Sequence, residues 1–125
     1  MHKRKQKHRP RSHFGTAILE QEARIDLAER SADGLGIAFL GASGTVTGSR
    51  YLVDDGETQV VIDSGLFQGP KDLRRLNWAP IPPEVADVDL VLLTHAHLDH
   101  SGALPRMARF GWGGTVLSTR ATEAL

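Results

Sequence analysis

The sequence predicts an α/β domain in which helices flank a mixed sheet. Residues 37–63 contain short apolar runs separated by glycine-rich turns, and residues 88–118 alternate apolar runs with a segment of helical pattern. Hairpin-like strands followed by alternating strands and helices are typical of a mixed sheet with helices on at least one face. A chain of 125 residues suffices for one domain with a modest core, or for part of one.

The first strands are predicted from short apolar runs and from the turn between two of them. Residues 37–41, IAFLG, read as a buried strand, and residues 41–49, GASGTVTGS, read as a loop. Residues 50–53 and 58–63 are the two arms of a predicted hairpin, because the Asp-Asp-Gly sequence at 54–56 favours a turn.

A helix and a buried strand are predicted next. The sequence PKDLRRLN favours a short helix with Pro70 near its first turn. Residues 88–95, VDLVLLTH, contain a continuous apolar run rather than an alternating one. Such a run is typical of a strand that is covered on both faces.

The last elements continue the alternation. Residues 100–111, HSGALPRMARFG, are expected to form a helix that ends at Gly111. Residues 114–119, GTVLST, resemble another strand, and a final helix begins with Ser118 or Thr119 as its N-cap.

The positive charge is concentrated at the N-terminus. Residues 1–13 carry six Lys and Arg and no acid, whereas the other 112 residues carry nine Lys and Arg against 15 acids. We expect a disordered basic tail over residues 1–15, a helical segment over 16–34 and the domain itself over 35–125. A basic tail attracts RNA, DNA or another anion. Alternatively, it is a solvated tail or reflects a start codon placed too far upstream.

The composition argues against several classes of protein. The sequence has no cysteine, so it has neither a disulfide framework nor a thiolate metal site. No apolar run approaches the roughly 18 residues of a membrane span, and no apolar stretch follows the basic N-terminus to form a secretory signal. We therefore expect a cytoplasmic protein that has no membrane partner.

Residues 94–102, THAHLDHSG, concentrate metal-binding side chains directly after the predicted buried strand. Half of the six histidines lie here, together with one aspartate. Imidazole and carboxylate both bind zinc near neutral pH. His95 and His97 can point at one ion, and Asp99 and His100 at a neighbouring position. The grouping favours two adjacent metals, which can share a hydroxide and assist hydrolysis.

The spacing H-x-H-x-D-H at residues 95–100 resembles the signature of the metallo-β-lactamase superfamily. Residues 60–65, VVIDSG, resemble the earlier strand of that superfamily, which ends in an aspartate. The resemblance implies that Asp63 supports the histidines from behind the metal site rather than binding metal. From the residues alone, Asp63 is equally well a turn or N-cap aspartate before Ser64 and Gly65.

Three longer stretches, FLGASGTVTGSRYLV, IDSGLFQG and HLDHSGALP, are similar to the β-CASP branch of RNA-processing nucleases. The resemblance implies the first half of an αββα sandwich and zinc-dependent hydrolysis of RNA phosphodiesters, with two zinc ions in the complete domain. It also implies four metal ligands, which are His95, His97, Asp99 and His100. Of these, Asp99 and His100 are the candidate catalytic residues.

The resemblance covers only part of that fold, because the superfamily's remaining ligands follow later in the chain. Past His100 this sequence has no histidine and one acid, Glu123. We therefore expect a truncated domain with an incomplete metal site, weak or absent catalysis and an exposed apolar sheet face. The expected partners are RNA and either a second copy of the chain or a completing C-terminal portion.

Two other functions remain open. One is a hydrolase of the same fold that acts on a small ester, lactone or thioester. The other is a non-catalytic remnant that binds RNA or protein. We interpret Trp78 and Trp112 as packing residues beside turns rather than as platforms on which bases stack. Arg106 and Arg109 are solvated helix residues or, alternatively, flank an RNA path.

Overall fold

The described part of the chain is an α/β unit. A computed structural model describes residues 34–81 and 83–125. It contains a five-stranded sheet with the strands in sequential order, β1-β2-β3-β4-β5. The predicted α/β class is confirmed. The predicted basic tail and nearly all of the predicted helical segment over 16–34 lie outside the described residues. No helix in the described ranges has the length and apolar character needed to cross a membrane.

The sheet begins as a meander and continues as parallel strands. β1 spans Gly36–Gly41, β2 spans Arg50–Asp54 and β3 spans Gln59–Ile62. β2 is antiparallel to both β1 and β3. β4, Leu90–Leu92, runs parallel to β3, and β5, Thr115–Leu117, runs parallel to β4. The predicted hairpin is confirmed, since β2 and β3 pair directly on either side of the Asp-Asp-Gly turn.

Short helices connect these strands. They are α1 at Lys71–Arg75, α2 at Leu98–Ser101, α3 at Leu104–Arg109 and α4 at Arg120–Glu123, with 3-10 turns at Leu76–Trp78 and Pro83–Val85. As predicted, Pro70 directly precedes α1. Thr119 is the N-cap of α4, because its side chain accepts a hydrogen bond from the backbone N–H of Thr122.

The single helix predicted over residues 100–111 is wrong, because the structure has two helices there, α2 and α3. Pro105 lies in the first turn of α3. Proline has no N–H to donate to the carbonyl four residues earlier, so one continuous helix would lose a hydrogen bond at this point. The backbone N–H of Ala103 instead donates to the carbonyl of Ser64 at 2.8 Å. This bond ties the junction between the helices to the segment after β3.

One face of the sheet carries the core. Ala38 is paired with Leu52, Leu52 with Val61, and Val61 with Val91, so these side chains form one row across four strands. All four are buried, and the buried residues packed with them are Val85, Val88 and Met107. Fully burying a side chain of this size stabilises the fold by about 1.5–3 kcal/mol.

The opposite face of the sheet is apolar and exposed, as expected from the sequence. Phe39, Leu92 and Leu117 lie in one row across the sheet and are 65%, 41% and 49% exposed. The prediction that β4 is covered on both faces is therefore wrong, since Val91 is buried and Leu92 is not. A continuous apolar run specifies two apolar faces but does not specify what covers them.

The two tryptophans differ in environment. Trp112 packs as predicted, because its ring lies against the core cluster and its indole N–H donates to the carbonyl of Val88 at 3.0 Å. The packing role expected for Trp78 is wrong, because Trp78 is 81% exposed. It ends the 3-10 turn Leu76–Trp78, in which no residue is buried.

Asn77 fastens this turn to the segment after β3, and its replacement by alanine tests the connection. The Asn77 amide accepts a hydrogen bond from the N–H of Phe67 at 2.7 Å and donates to the Phe67 carbonyl at 2.8 Å. Losing both bonds should lower the free energy of unfolding by about 1–3 kcal/mol. Asn77→Asp keeps the acceptor but turns a second oxygen toward the Phe67 carbonyl, so it should lose at least as much. Urea unfolding measures both changes, and an unchanged midpoint for Asn77→Ala would contradict this role.

Candidate metal centre

Two neighbouring strand ends bring the candidate site together. Because β3 and β4 are parallel, their carboxyl ends lie at the same edge of the sheet. Asp63 directly follows β3, and its N–H donates to the carbonyl of Leu92, the last residue of β4, at 3.0 Å. Residues 94–100, the histidine loop, follow β4. The loop and Asp63 therefore meet at this edge, where α/β folds commonly place their sites.

The carboxylate of Asp63 is buried behind the histidine loop. Asp63 is 2% exposed. The N–H and the hydroxyl of Thr94 donate to its Oδ1 at 2.8 and 3.0 Å. Its Oδ2 lies 2.7 Å from Nδ1 of His100 and accepts a longer bond, 3.4 Å, from the hydroxyl of Ser49. The contact with His100 is the one that the predicted supporting role requires.

The backbone of Asp63 has a left-handed conformation, with φ of 61°. Aspartate tolerates this region better than most residues that have a Cβ atom. The cost is of the order of 1–2 kcal/mol. The hydrogen bonds to the carboxylate offset it. This conformation turns the chain sharply after β3, so the next residues run along the histidine loop.

The three histidine rings lie beside one another. The ring centroid of His95 is 4.8 Å from that of His97 and 4.0 Å from that of His100. Oδ2 of Asp99 lies 3.4 Å from Nε2 of His100. The structure thus brings the predicted ligands into one cluster. Within the described ranges, however, no group of three or more His, Asp or Glu side chains is arranged to hold a metal ion.

The donor chemistry of this cluster fits zinc. Its ligand atoms are imidazole nitrogens and a carboxylate oxygen, which zinc accepts in tetrahedral sites. His100 presents its Nδ1 to the Asp63 carboxylate, so its Nε2 remains to bind a metal. Four donors satisfy about one tetrahedral ion and not two. The loop is therefore a suitable but partial ligand set for a pair of ions.

Gly65 allows the backbone after β3 to lie directly against α2. A Cβ atom at Gly65 would lie 1.6 Å from the carbonyl oxygen of Asp99. On either side of this contact, the N–H of Ser64 donates to the His100 carbonyl at 2.8 Å, and the N–H of Leu66 donates to the Leu98 carbonyl at 2.9 Å. These bonds fix the backbone of the two residues that carry the carboxylate and the third imidazole.

Sequence reasoning missed the polar support around this contact. Ser49, in the loop before β2, accepts from the N–H of Gly65, and its own N–H donates to the Asp99 carbonyl, both at 2.9 Å. No role was predicted for Thr94, which directly precedes the histidines. Its hydroxyl also lies 2.9 Å from Nδ1 of His95. The position of Thr94 next to the histidine cluster was the only available signal for its contact with His95. No sequence feature marked the contacts of Ser49.

Arg50 places a partly buried cation next to the same segment. Its Nη2 donates to the hydroxyl of Ser64 at 3.1 Å, and its Nε is buried without a hydrogen-bond partner in the described part of the chain. Burial lowers the pKa of the Arg50 guanidinium below its ordinary value, and the nearby charge of Arg106 lowers it further. No sequence feature marked this residue beyond its position at the start of a predicted strand.

Comparisons with known proteins agree with this geometry. The protein-family profile described as "Metallo-beta-lactamase superfamily" matches residues 44–122. Ribonuclease TTHA0252 of Thermus thermophilus is 49% identical over 89 residues, which are 71% of this chain and 20% of that protein. Transcription termination factor FttA of Methanocaldococcus jannaschii is 34% identical over 100 residues, 80% of this chain and 16% of that protein.

A eukaryotic relative gives the same picture. Integrator complex subunit 11 of Danio rerio is 35% identical over 91 residues, which are 69% of this chain and 15% of that protein. The chain thus spans a fifth or less of the length of these relatives. In each case the similarity extends over more than two thirds of this chain.

Proposed function

This chain belongs to the metallo-beta-lactamase superfamily, and from that premise we propose that its histidine loop serves the metal-dependent hydrolysis of RNA phosphodiester bonds. The observation that carries the proposal is the cluster of three imidazoles and one carboxylate at the carboxyl edge of β3 and β4. Similarity to proteins named ribonuclease, transcription termination factor and Integrator subunit supports the β-CASP branch, which the sequence motifs indicated.

In this proposal the residues of the loop have distinct roles. His95, His97, Asp99 and His100 supply ligands to zinc, and Asp99 and His100 are the residues nearest the reacting phosphate. When bound, zinc supplies a hydroxide at neutral pH and offsets the charge that develops on phosphate oxygens. Asp63 holds the proton on Nδ1 of His100 and so keeps Nε2 free for a ligand bond.

The proposal also includes weak turnover by the 125-residue chain. Two ions need about eight ligand positions, and the histidine loop supplies four. Water can fill the remainder, but it binds less tightly than a side chain held by the fold. We therefore propose that the loop binds metal measurably and cleaves RNA slowly unless further ligands complete the site.

A metal-binding measurement tests the ligand assignment. Equilibrium dialysis against zinc should show binding that His97→Ala weakens about 100-fold, because loss of a ligand should cost at least as much as loss of its outer support. His8→Ala is the matched control, since His8 belongs to the basic N-terminal sequence and not to the loop. Equal zinc binding by the two variants would show that the loop is not the site.

A cleavage assay tests the substrate. A fluorescently labelled single-stranded RNA should be cut slowly in the presence of zinc, and a chelator should abolish the cutting. The same preparation should leave a chromogenic ester and a lactone unchanged. Hydrolysis of the ester or lactone, with the RNA intact, would favour the small-molecule alternative. Zinc binding without any hydrolysis would favour a binding remnant.

A further inference from the structure

Two exposed aromatic rings line the same groove on the surface of the described part of the chain. Trp78 is 81% exposed and Phe110 is 62% exposed. Both line one groove of about 640 Å³, together with Pro105, Arg106 and Arg109. Exposed apolar side chains that line one groove together form a candidate binding surface.

Arg106 holds the two rings in place. Its guanidinium donates hydrogen bonds to the backbone carbonyls of Asn77 and Trp78, the second at 3.1 Å. The same group lies 5.3 Å from the centroid of the Phe110 ring, within the range of a cation–π contact. Arg106 therefore connects α3 to the 3-10 turn and fixes the backbone that carries Trp78.

In the described ranges, basic side chains outnumber acidic ones beside these rings. A second hollow adjoins the groove at Trp78 and is lined by Lys71, Arg74 and Arg75. Arg75 pairs with Asp72 at 3.0 Å. Among the described residues, the side chains of Lys71, Arg74 and Arg109 have no ion-pair or hydrogen-bond partner. No Asp or Glu lines either hollow within the described ranges. The surface is therefore complementary to an anion with flat rings.

The groove also touches segments that adjoin the histidine loop. Leu66 and Gly102 are among its lining residues. Gly102 is the C-cap of α2, the helix that carries Asp99 and His100. The N–H of Leu66 donates to the carbonyl of Leu98 in the same helix at 2.9 Å. The groove thus shares part of its lining with the end of the helix that carries two of the proposed metal ligands.

We propose that Trp78 and Phe110 stack bases of single-stranded RNA while Lys71, Arg74 and Arg109 contact its phosphates. The proposal deepens the proposed function and rests on it for the choice of RNA. Stacking is sequence-tolerant, because every base has a flat face, and exposed cations track the backbone. A peptide partner would need acidic residues for the cations and separate flat side chains for the rings, whereas every nucleotide supplies both a phosphate and a base.

A fluorescence titration of the full 125-residue chain tests this surface. The chain has two tryptophans, so Trp112→Phe leaves Trp78 as the only indole reporter. Titration with a ten-nucleotide single-stranded RNA in the presence of a chelator should quench Trp78, and added salt should weaken the binding. Inorganic polyphosphate should compete without quenching. No quenching by RNA, or equal quenching by polyphosphate, would overturn the proposal.

A second measurement uses substituted chains to locate the RNA-binding surface. Fluorescence polarisation of labelled RNA should show affinity about 10-fold weaker for Trp78→Ala and for Arg109→Ala. Phe39→Ala and Arg120→Ala are the matched controls, since both residues are exposed and neither lines the groove. Affinity that all four variants retain would assign RNA binding to the basic N-terminus and overturn the proposal.

The titration is independent of catalysis. It is performed without metal and measures no cleavage. If RNA quenched Trp78 but the separate cleavage assay with zinc showed no cutting, the proposed hydrolysis would be overturned and the proposed RNA-binding surface would remain. Cleavage without quenching would do the reverse.

Discussion

Replacing Gly65 with alanine should dislodge the histidine loop and unfold the domain more easily. The new Cβ atom would lie 1.6 Å from the carbonyl oxygen of Asp99 and 2.8 Å from the backbone nitrogen of His100. Both obstacles are backbone atoms, so no side-chain rotation relieves the clash. We expect the free energy of unfolding to fall by about 3 kcal/mol, the upper end of the usual cost of overpacking.

The same substitution should lower zinc affinity, because relief of the clash moves Asp99 and His100, two of the proposed metal ligands. Gly113→Ala is the matched control. A Cβ atom at Gly113 meets nothing within 4 Å, and its backbone lies outside the left-handed region. Urea unfolding and zinc dialysis should therefore separate the two variants in both quantities. If Gly65→Ala behaved like Gly113→Ala, the close approach of the two backbones would not be a feature of the folded protein.

Gly65 also illustrates what the sequence could and could not predict. The glycine was visible in VVIDSG, but a turn explained it equally well, and the atom it approaches is 34 positions away in the sequence. By contrast, the hairpin of β2 and β3 depends on adjacent runs and on a turn between them, which are local signals. Local signals predicted the strands well, whereas contacts between distant segments required the structure.

The elements that were predicted wrongly follow the same division. The segment 100–111 was predicted as one helix that ends at Gly111, although Pro105 inside it marked the break. The coverage of β4 and the packing of Trp78 are different, because both depend on what lies opposite a side chain. The residues near Trp78 in the sequence predicted neither its exposure nor the hydrogen bond that Arg106 donates to its carbonyl.

The candidate site was largely predictable because its ligand-type residues are contiguous. Three histidines and an aspartate within six positions follow an apolar run, so a single strand end brings them together. The support for them comes from elsewhere in the chain. Ser49 lies 14 positions before Asp63, and Thr94 lies 31 positions after it. The resemblance to a family indicated Asp63, but only the folded structure identified its partners.

Asp63→Asn should weaken zinc binding about 10- to 100-fold, which is the usual cost of removing a carboxylate behind a metal-binding histidine. Each group that contacts this carboxylate can donate: two groups of Thr94, the hydroxyl of Ser49 and Nδ1 of His100. An amide offers one oxygen and one NH2 group, so at least one donor would face another donor. Because Asp63 is 2% exposed, water cannot replace the missing acceptor easily.

Asparagine is the sharpest replacement because it changes the charge and leaves the backbone alone. Asn adopts the left-handed conformation of Asp63 as readily as Asp does, whereas Ala at φ of 61° would add backbone strain. The free energy of unfolding should fall by about 1–3 kcal/mol through the unsatisfied donor. Nitrogen NMR of the His100 ring reports separately whether the proton has left Nδ1.

Asp54→Asn is the matched control for burial and charge. Asp54 is 7% exposed and accepts hydrogen bonds from the N–H of Gly56 at 2.7 Å and from the side chain of Gln59 at 2.9 Å. It lies at the hairpin and away from the histidine loop, so its replacement should cost stability and leave zinc affinity unchanged. Competition with a chromogenic chelator measures that affinity in both variants. If the two variants lost zinc equally, the effect would come from general destabilisation. If Asp63→Asn alone lost it, the carboxylate would act on the metal through His100.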